Sequence, residues 1–192
     1  MNFIVKNGRT IVSLILVVVV ALVVKTFVIE VVRVDGNSMY PNLENNERVL
    51  LLKQAKLKRN RVVVFDAYGV DPQVTDKKVK YVKRIIALPG DKVKYTKTGQ
   101  LYINGKLQTQ DYIIGEQQQQ GTLKLEANAS SNGVFELGSG KAFKVPKGTY
   151  LVLGDNRGVS RDSRYYGFVP KEKIDGVVKT FFWNKNDWVN QY

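Results

Sequence analysis

The chain has neither histidine nor cysteine among its 192 residues. Without cysteine there is no disulfide, no thiolate metal site and no thiol nucleophile. Without histidine the usual proton carrier near neutral pH is missing. Acid–base chemistry must then come from Lys, Asp, Glu or Tyr. A Ser-His-Asp triad and a His-ligated metal are excluded on the same ground. Negative charge is also short: 17 Asp and Glu stand against 30 Lys and Arg, a net charge of +13. Such a balance suits nucleic acid, an anionic membrane surface or an acidic protein. The basic residues are dispersed, and no basic helix or aromatic-basic module gathers them, so nucleic acid is not the expected partner.

Polar side chains are absent from residues 14–24, and 11–29 is nearly all apolar. About 20 helical residues cross a hydrocarbon layer of roughly 30 Å. The β-branched residues there are poor helix formers in water, but in lipid the backbone must satisfy itself and helix wins. Lys25 lies where its stem can snorkel to the headgroups. Lys6 and Arg9 precede the run and predict a cytoplasmic N-terminus with the rest outside the plasma membrane. A cleavable signal peptide is the rival reading, but the run is long and no Ala-x-Ala exit follows it. The expected organisation is a cytoplasmic segment (1–9), one transmembrane anchor (10–29) and an extracytoplasmic domain (30–192).

The remainder reads as mainly β. Segments 28–34, 48–52, 61–68, 78–87, 92–96, 101–107, 147–154 and 176–183 carry strand patterns. Asn104-Gly105 between Tyr102-Ile103 and Lys106-Leu107 predicts a type I′ hairpin. A glutamine run at 117–120 and an Asn/Ser/Gly stretch at 128–133 mark an inserted smaller β region at about 94–146. One helical turn is expected at 170–174.

Three segments carry candidate chemistry. In Gly36-Asn37-Ser38-Met39-Tyr40-Pro41, a turn exposes a serine and can aim backbone N–H groups at one point, as an acyl-transfer nucleophile needs. By itself a serine beside glycine is most often structural. The serine lies about ten residues past the apolar run, where a membrane-held substrate would present its cleavage site. In Lys80-Tyr81-Val82-Lys83-Arg84-Ile85-Ile86-Ala87, alternation puts Tyr81, Lys83 and Ile85 on one face and Arg84 on the other. A lysine among apolar neighbours loses the water that favours its charge and becomes a base; a snorkelling surface lysine is the plainer reading. In the segment from Gly154 to Pro170, Asp155, Arg157, Asp162 and Arg164 offer an internal ion-pair network that could stiffen the surroundings of a base.

Together, behind an N-terminal anchor, these segments resemble the sequence boxes of bacterial type I signal peptidases, in the single-anchor form typical of Gram-positive bacteria. The resemblance runs from the anchor to the last strand and is loose in the insertion. It implies a signal-peptidase-like β-sheet core and a membrane-bound serine endopeptidase that cuts signal peptides from secreted preproteins after small residues (Ala-x-Ala). Ser38 matches the family's nucleophile and Lys83 its general base. Ser160 matches a serine that hydrogen-bonds the lysine. Asp162 and Arg164 match the supporting pair, with Asp155 and Arg157 in the same loop. Val34, Asp35, Gly36, Asn37, Met39, Leu43, Tyr81 and Val82 would line the substrate. The Ser38 N–H would be one oxyanion donor. Some members place a serine hydroxyl at the position of Gly36, so here the second donor must be backbone or water. No metal or cofactor is implied; the partners are signal peptides and the lipid bilayer.

Other readings diverge from this one. A self-cleaving repressor-like protein shares the Ser/Lys chemistry but carries a DNA-binding helix-turn-helix. A silent relative, acting as an assembly factor, would lack Ser38 or Lys83. A specialised enzyme would serve a narrow set such as pilus subunits. The aromatics Phe181, Phe182, Trp183 and Trp188 are expected either to pack in the core or to rest on a bilayer.

Overall fold

The fold comes from a computed structural model that describes residues 2–113, 115, 117, 140–181, 183 and 187–192. Helix α1 (Asn2–Phe27) contains a 20-residue apolar stretch, Gly8–Phe27, long enough to cross a membrane. Leu14, Leu16, Val17 and Leu22 are each more than half exposed, so these side chains stay out of the core. Its final carbonyls are not left open. Lys53 Nζ donates to Thr26 O, Gln54 Nε2 to Phe27 O and the Lys53 N–H to Val28 O. Those bonds satisfy the helix end and join it to strand β1 (Ile29–Arg33).

The domain is antiparallel β. Seven strands form one sheet in the order β1-β2-β11-β3-β4-β9-β10. They are β1, β2 (Arg48–Leu52), β3 (Val62–Asp66), β4 (Lys80–Ala87), β9 (Thr149–Leu153), β10 (Val169–Pro170) and β11 (Ile174–Lys179). Strand β3 is almost entirely β-branched or aromatic and buries both faces. Val62 and Val64 enter one core with Met39, Leu43, Val49 and Leu51. Val63 and Phe65 enter another with Ile85, Tyr150 and Val152. Period 2 thus makes one strand the partition between two cores.

The second sheet, β7-β6-β5-β8, holds β5 (Lys92–Tyr95), β6 (Leu101–Ile103), β7 (Lys106–Gln108) and β8 (Ala142–Lys144). Asn104 (φ 52°) and Gly105 (φ 81°) both sit at positive φ, which the type I′ turn requires. Val93, Tyr95, Leu101 and Ile103 pack against Ile86, Leu151 and Leu153, so a third core joins the sheets. The sheet begins two residues before the expected insertion, at Lys92, because Val93 already faces this core. Of the glutamine run only Gln117 is described, and residues 128–133 lie outside the described residues.

Several strands are shorter than their sequence patterns, each for a local reason. At β3, Asp66 accepts from the Tyr68 N–H and turns the chain; before β4, Asp76 does the same with Lys78. The strand expected over 176–183 is β11, which stops at Lys179. Beyond it the Asn190 side chain takes both the N–H and the carbonyl of Thr180. The turn expected at 170–174 is a short 3-10 segment, Lys171–Lys173. A second short helix, α2 (Ser163–Tyr166), was not anticipated; Asp162 caps it by accepting from the Arg164 N–H.

Candidate active site

The segment bearing Ser38 is shaped by its neighbours. Gly36 has φ +86°, a conformation that side chains disfavour, and its N–H is taken by Asn45 Oδ1 at 2.9 Å. Met39 follows with its side chain sunk in the core, 1% exposed. That anchor leaves the Ser38 hydroxyl half-buried beside the cleft. Asn156 then ties the segment down. Its N–H donates to Ser38 O (3.0 Å) and its Nδ2 to Asn37 O (3.2 Å). The approach depends on Gly154: a Cβ there would lie 2.5 Å from Ser38 O and 2.1 Å from Ser160 Oγ.

Strand β4 brings Lys83 to this point. The ladder pairs it with Val63 and pairs Tyr81 with Phe65, so Tyr81, Lys83 and Ile85 share a face. Lys83 is 4% exposed. Its Nζ lies 2.9 Å from Ser38 Oγ and 2.9 Å from Val82 O. The Tyr81 ring lies 5.1 Å from Nζ. Loss of water pushes its pKa from 10.5 down to about 8; Asp162 and Asp155 pull the other way without cancelling that effect.

The loop after β9 supplies the surrounding charges. Arg164 grips Asp162 through Nε (2.8 Å) and Nη2 (2.8 Å), and also donates to the carbonyls of Arg157 and Ser160. Asp162 is fully buried. Burial opposes its charge, but Arg164 and the Gly154 N–H prevail and hold it below the ordinary carboxylate value. Arg157 donates to Gly154 O and Gln110 Oε1. Two expectations need correction. Asp155 does not take its partner from within the loop: Arg84 of β4 grips it at 2.8 and 2.6 Å. Ser160, expected to bond the lysine, packs against Gly154 with its buried hydroxyl on the Asp162 side, and no hydrogen bond joins it to Lys83 among the described residues.

Arg84, Asn42, Asp71 and Arg161 were missed by sequence reasoning. Arg84 is fully buried, donates to Asn60 O and Trp188 O as well as Asp155, and lies 4.4 Å above the Tyr112 ring. Burial works against its charge, yet Asp155 raises its pKa above the ordinary value. Asn42 Nδ2 donates to Asp155 Oδ2. A fully charged residue beside Ile85 and Ile86 in a strand that buries both faces demands a partner, and that was the available signal. Asp71 and Arg161 join the β3–β4 loop to the loop after β9.

A cleft of about 540 Å³ opens in front of Ser38 and Lys83. Asp35, Gly36, Asn37, Tyr81 and Val82 line it, together with Val32, Val64, Asn156, Val159 and Arg161. Val34, Met39 and Leu43 do not reach its wall. They are at most 2% exposed and form the core layer on which Val32 and Val82 rest. Near the C-terminus Trp188 packs on the core, while Phe181 stacks on Trp183 at 4.5 Å with Trp183 61% exposed. Phe182 lies outside the described residues. Among the described residues no group of three or more His, Cys, Asp or Glu side chains could hold a metal ion.

Comparison with known proteins places these features in a family context. The family model described as signal peptidase, peptidase S26, matches residues 7–183. Signal peptidase IB of Staphylococcus aureus is 35% identical over 191 residues, which is 95% of this chain and 92% of the relative. Signal peptidase I of Bacillus licheniformis is 35% identical over 180 residues, 91% of this chain and 88% of its own. A crystal structure of a signal peptidase I from Enterococcus faecalis has 32% identity, covers 65% of this chain and 98% of its own, and superposes with a TM-score of 0.46.

Proposed function

The chain belongs to the signal peptidase family, peptidase S26, and from that premise we propose that it is a membrane-anchored serine endopeptidase in which Ser38 is the nucleophile and Lys83 the general base. The observation that carries this reading is the 2.9 Å contact between a buried lysine amine and a serine hydroxyl facing a cleft.

Neutral Lys83 accepts the Ser38 proton as Oγ adds to the carbonyl carbon of the scissile bond. A hydroxyl serves as acceptor or donor, so the bond seen to Ser38 reverses once the amine has lost its proton. The carbonyl electrons move to oxygen. The Ser38 N–H, which donates to no acceptor among the described residues, faces that charge as one oxyanion donor. The second donor is not the Gly36 N–H, because Asn45 holds it. Collapse of the tetrahedral species expels the amine of the mature protein, which takes the proton from Lys83. An acyl-enzyme remains, and Lys83 then deprotonates a water that releases the signal peptide.

The substrate lies extended along β4. Strand β9 pairs with β4 only from Arg84 onward, so the edge at 80–83 has β3 on one side and no strand on the other among the described residues. A peptide can add there as a further strand. Small residues fit the shallow wall of Val32, Val64, Tyr81 and Val82, consistent with Ala-x-Ala selection. Helix α1 spans the bilayer with its N-terminus in the cytoplasm, residues 30–192 working on the outer face.

The test uses the purified full-length chain in phospholipid vesicles with a preprotein substrate. Ser38→Ala and Lys83→Met should each lower cleavage by more than about a thousandfold. Full cutting by either variant removes the assignment.

A further inference from the structure

Asp71 is fully buried in the loop between β3 and β4 and holds three partners. Arg161 donates to it through Nε (2.6 Å) and Nη2 (2.8 Å), the Tyr81 hydroxyl donates at 3.0 Å, and the Gln73 N–H donates at 3.0 Å. Arg161 belongs to the loop after β9 and lines the cleft. The carboxylate therefore ties together two loops ninety residues apart in sequence and one side chain of the catalytic strand. That side chain, Tyr81, lies with its ring over Lys83 Nζ and packs edge-on against Phe65, with Tyr166 at 6.1 Å. No hydrogen bond joins Asp71 or Arg161 to Ser38 or Lys83.

We propose that Asp71 and Arg161 form a clasp that fixes the Tyr81 ring over Lys83, so that the pair are positioning residues that keep water away from the base. The proposal rests on the Ser38/Lys83 reading. Its physical basis is that a phenol held at its far end by a buried, doubly gripped carboxylate has little freedom to swing out. Removing the grip frees the ring to move, water reaches the amine, and the charged form of Lys83 recovers stability. Burial and the Asp71 charge both hold the phenol itself protonated, pushing its pKa up to about 12, so Tyr81 remains a donor to Asp71 throughout the working range.

The groups facing Lys83 make the expected sign informative. Asp162, Asp155 and Arg164 face it from the loop after β9, Ser38 from the turn, and Tyr81 from its own strand. Deleting the Asp71 charge alone lowers a lysine pKa, whereas hydration raises it. Tyr81→Phe changes no charge, and the double variant Asp71→Asn/Arg161→Gln removes one charge of each sign without stranding a buried one.

The experiment is the pH dependence of kcat/KM for preprotein cleavage by the full-length chain in vesicles. It compares wild type, Tyr81→Phe, Asp71→Asn/Arg161→Gln and Arg161→Lys, with thermal melts confirming that each is folded. The ascending limb should move upward by about one unit in Tyr81→Phe and in the double variant, a loss of about tenfold at pH below the limb. Arg161→Lys should recover part of the shift. A limb that stays in place, or moves down, in both folded variants overturns the clasp. A wild-type chain with no ascending limb, or a Ser38→Ala chain that still cuts, overturns the Ser38/Lys83 reading instead.

Discussion

Strand β4 places two cations side by side and buries both, but its two faces treat them in opposite ways. On one face Arg84 meets a bidentate carboxylate, two carbonyls and an aromatic ring, and its charge is fixed. On the other, Lys83 meets one hydroxyl, one carbonyl and a ring, and its pKa falls to about 8. Asp162 and Asp155 are close enough to be felt at Lys83, yet each is gripped by its own arginine. Burial alone therefore does not decide whether a basic group keeps its proton. The decision lies in whether a carboxylate is left over to pair with it.

The contrast can be broken most severely at Arg84. Arg84→Met leaves Asp155 charged, buried and without its cation, which should cost about 3–5 kcal/mol of folding stability, read by urea or thermal unfolding. Adding Asp155→Leu should recover most of that loss, because removing both charges leaves nothing buried and unpaired. Recovery would show that Arg84 supports the fold by pairing with Asp155.

The same change on the other face should act in the opposite direction. Folded Lys83 loses its proton near pH 8, unfolded lysine near 10.5. Below about pH 8 both states are charged, and the folded state bears the whole cost of a buried ammonium, about 3 kcal/mol. The cost fades as pH rises from 8 towards 10.5. Lys83→Met should therefore stabilise the chain by about 2 kcal/mol at pH 7, once two lost hydrogen bonds are counted, while abolishing cleavage. Its advantage should shrink steadily up to pH 10.5. Destabilisation at pH 7 would mean that the amine is solvated or paired.

Much of this was legible in the sequence, and the illegible part has a common cause. The mainly β fold follows from period-2 patterns and turn residues, and Asn104-Gly105 encodes its hairpin by its positive φ. Ser38 and Lys83 stand out because a turn motif and a strand alternation are local signals. Partnerships across long sequence separations are not. Arg84 and Asp155 lie 71 positions apart, and Asp71 and Arg161 ninety. Only the folded sheet brings either pair together. The depth of Val34, Met39 and Leu43 escaped for a similar reason: a short irregular segment has no periodicity to say which side chains turn inward. Ser160 was placed by resemblance, and among the described residues its hydroxyl makes no bond to the amine but lies beside Gly154 and Asp162.

The central claim concerns one proton, and it can be followed directly. Selectively labelled lysine in the full-length chain, with Lys83→Met used to assign the resonance, gives the titration of Lys83 by NMR. The account predicts a midpoint about 8. A midpoint near 10.5, the ordinary lysine value, would contradict it.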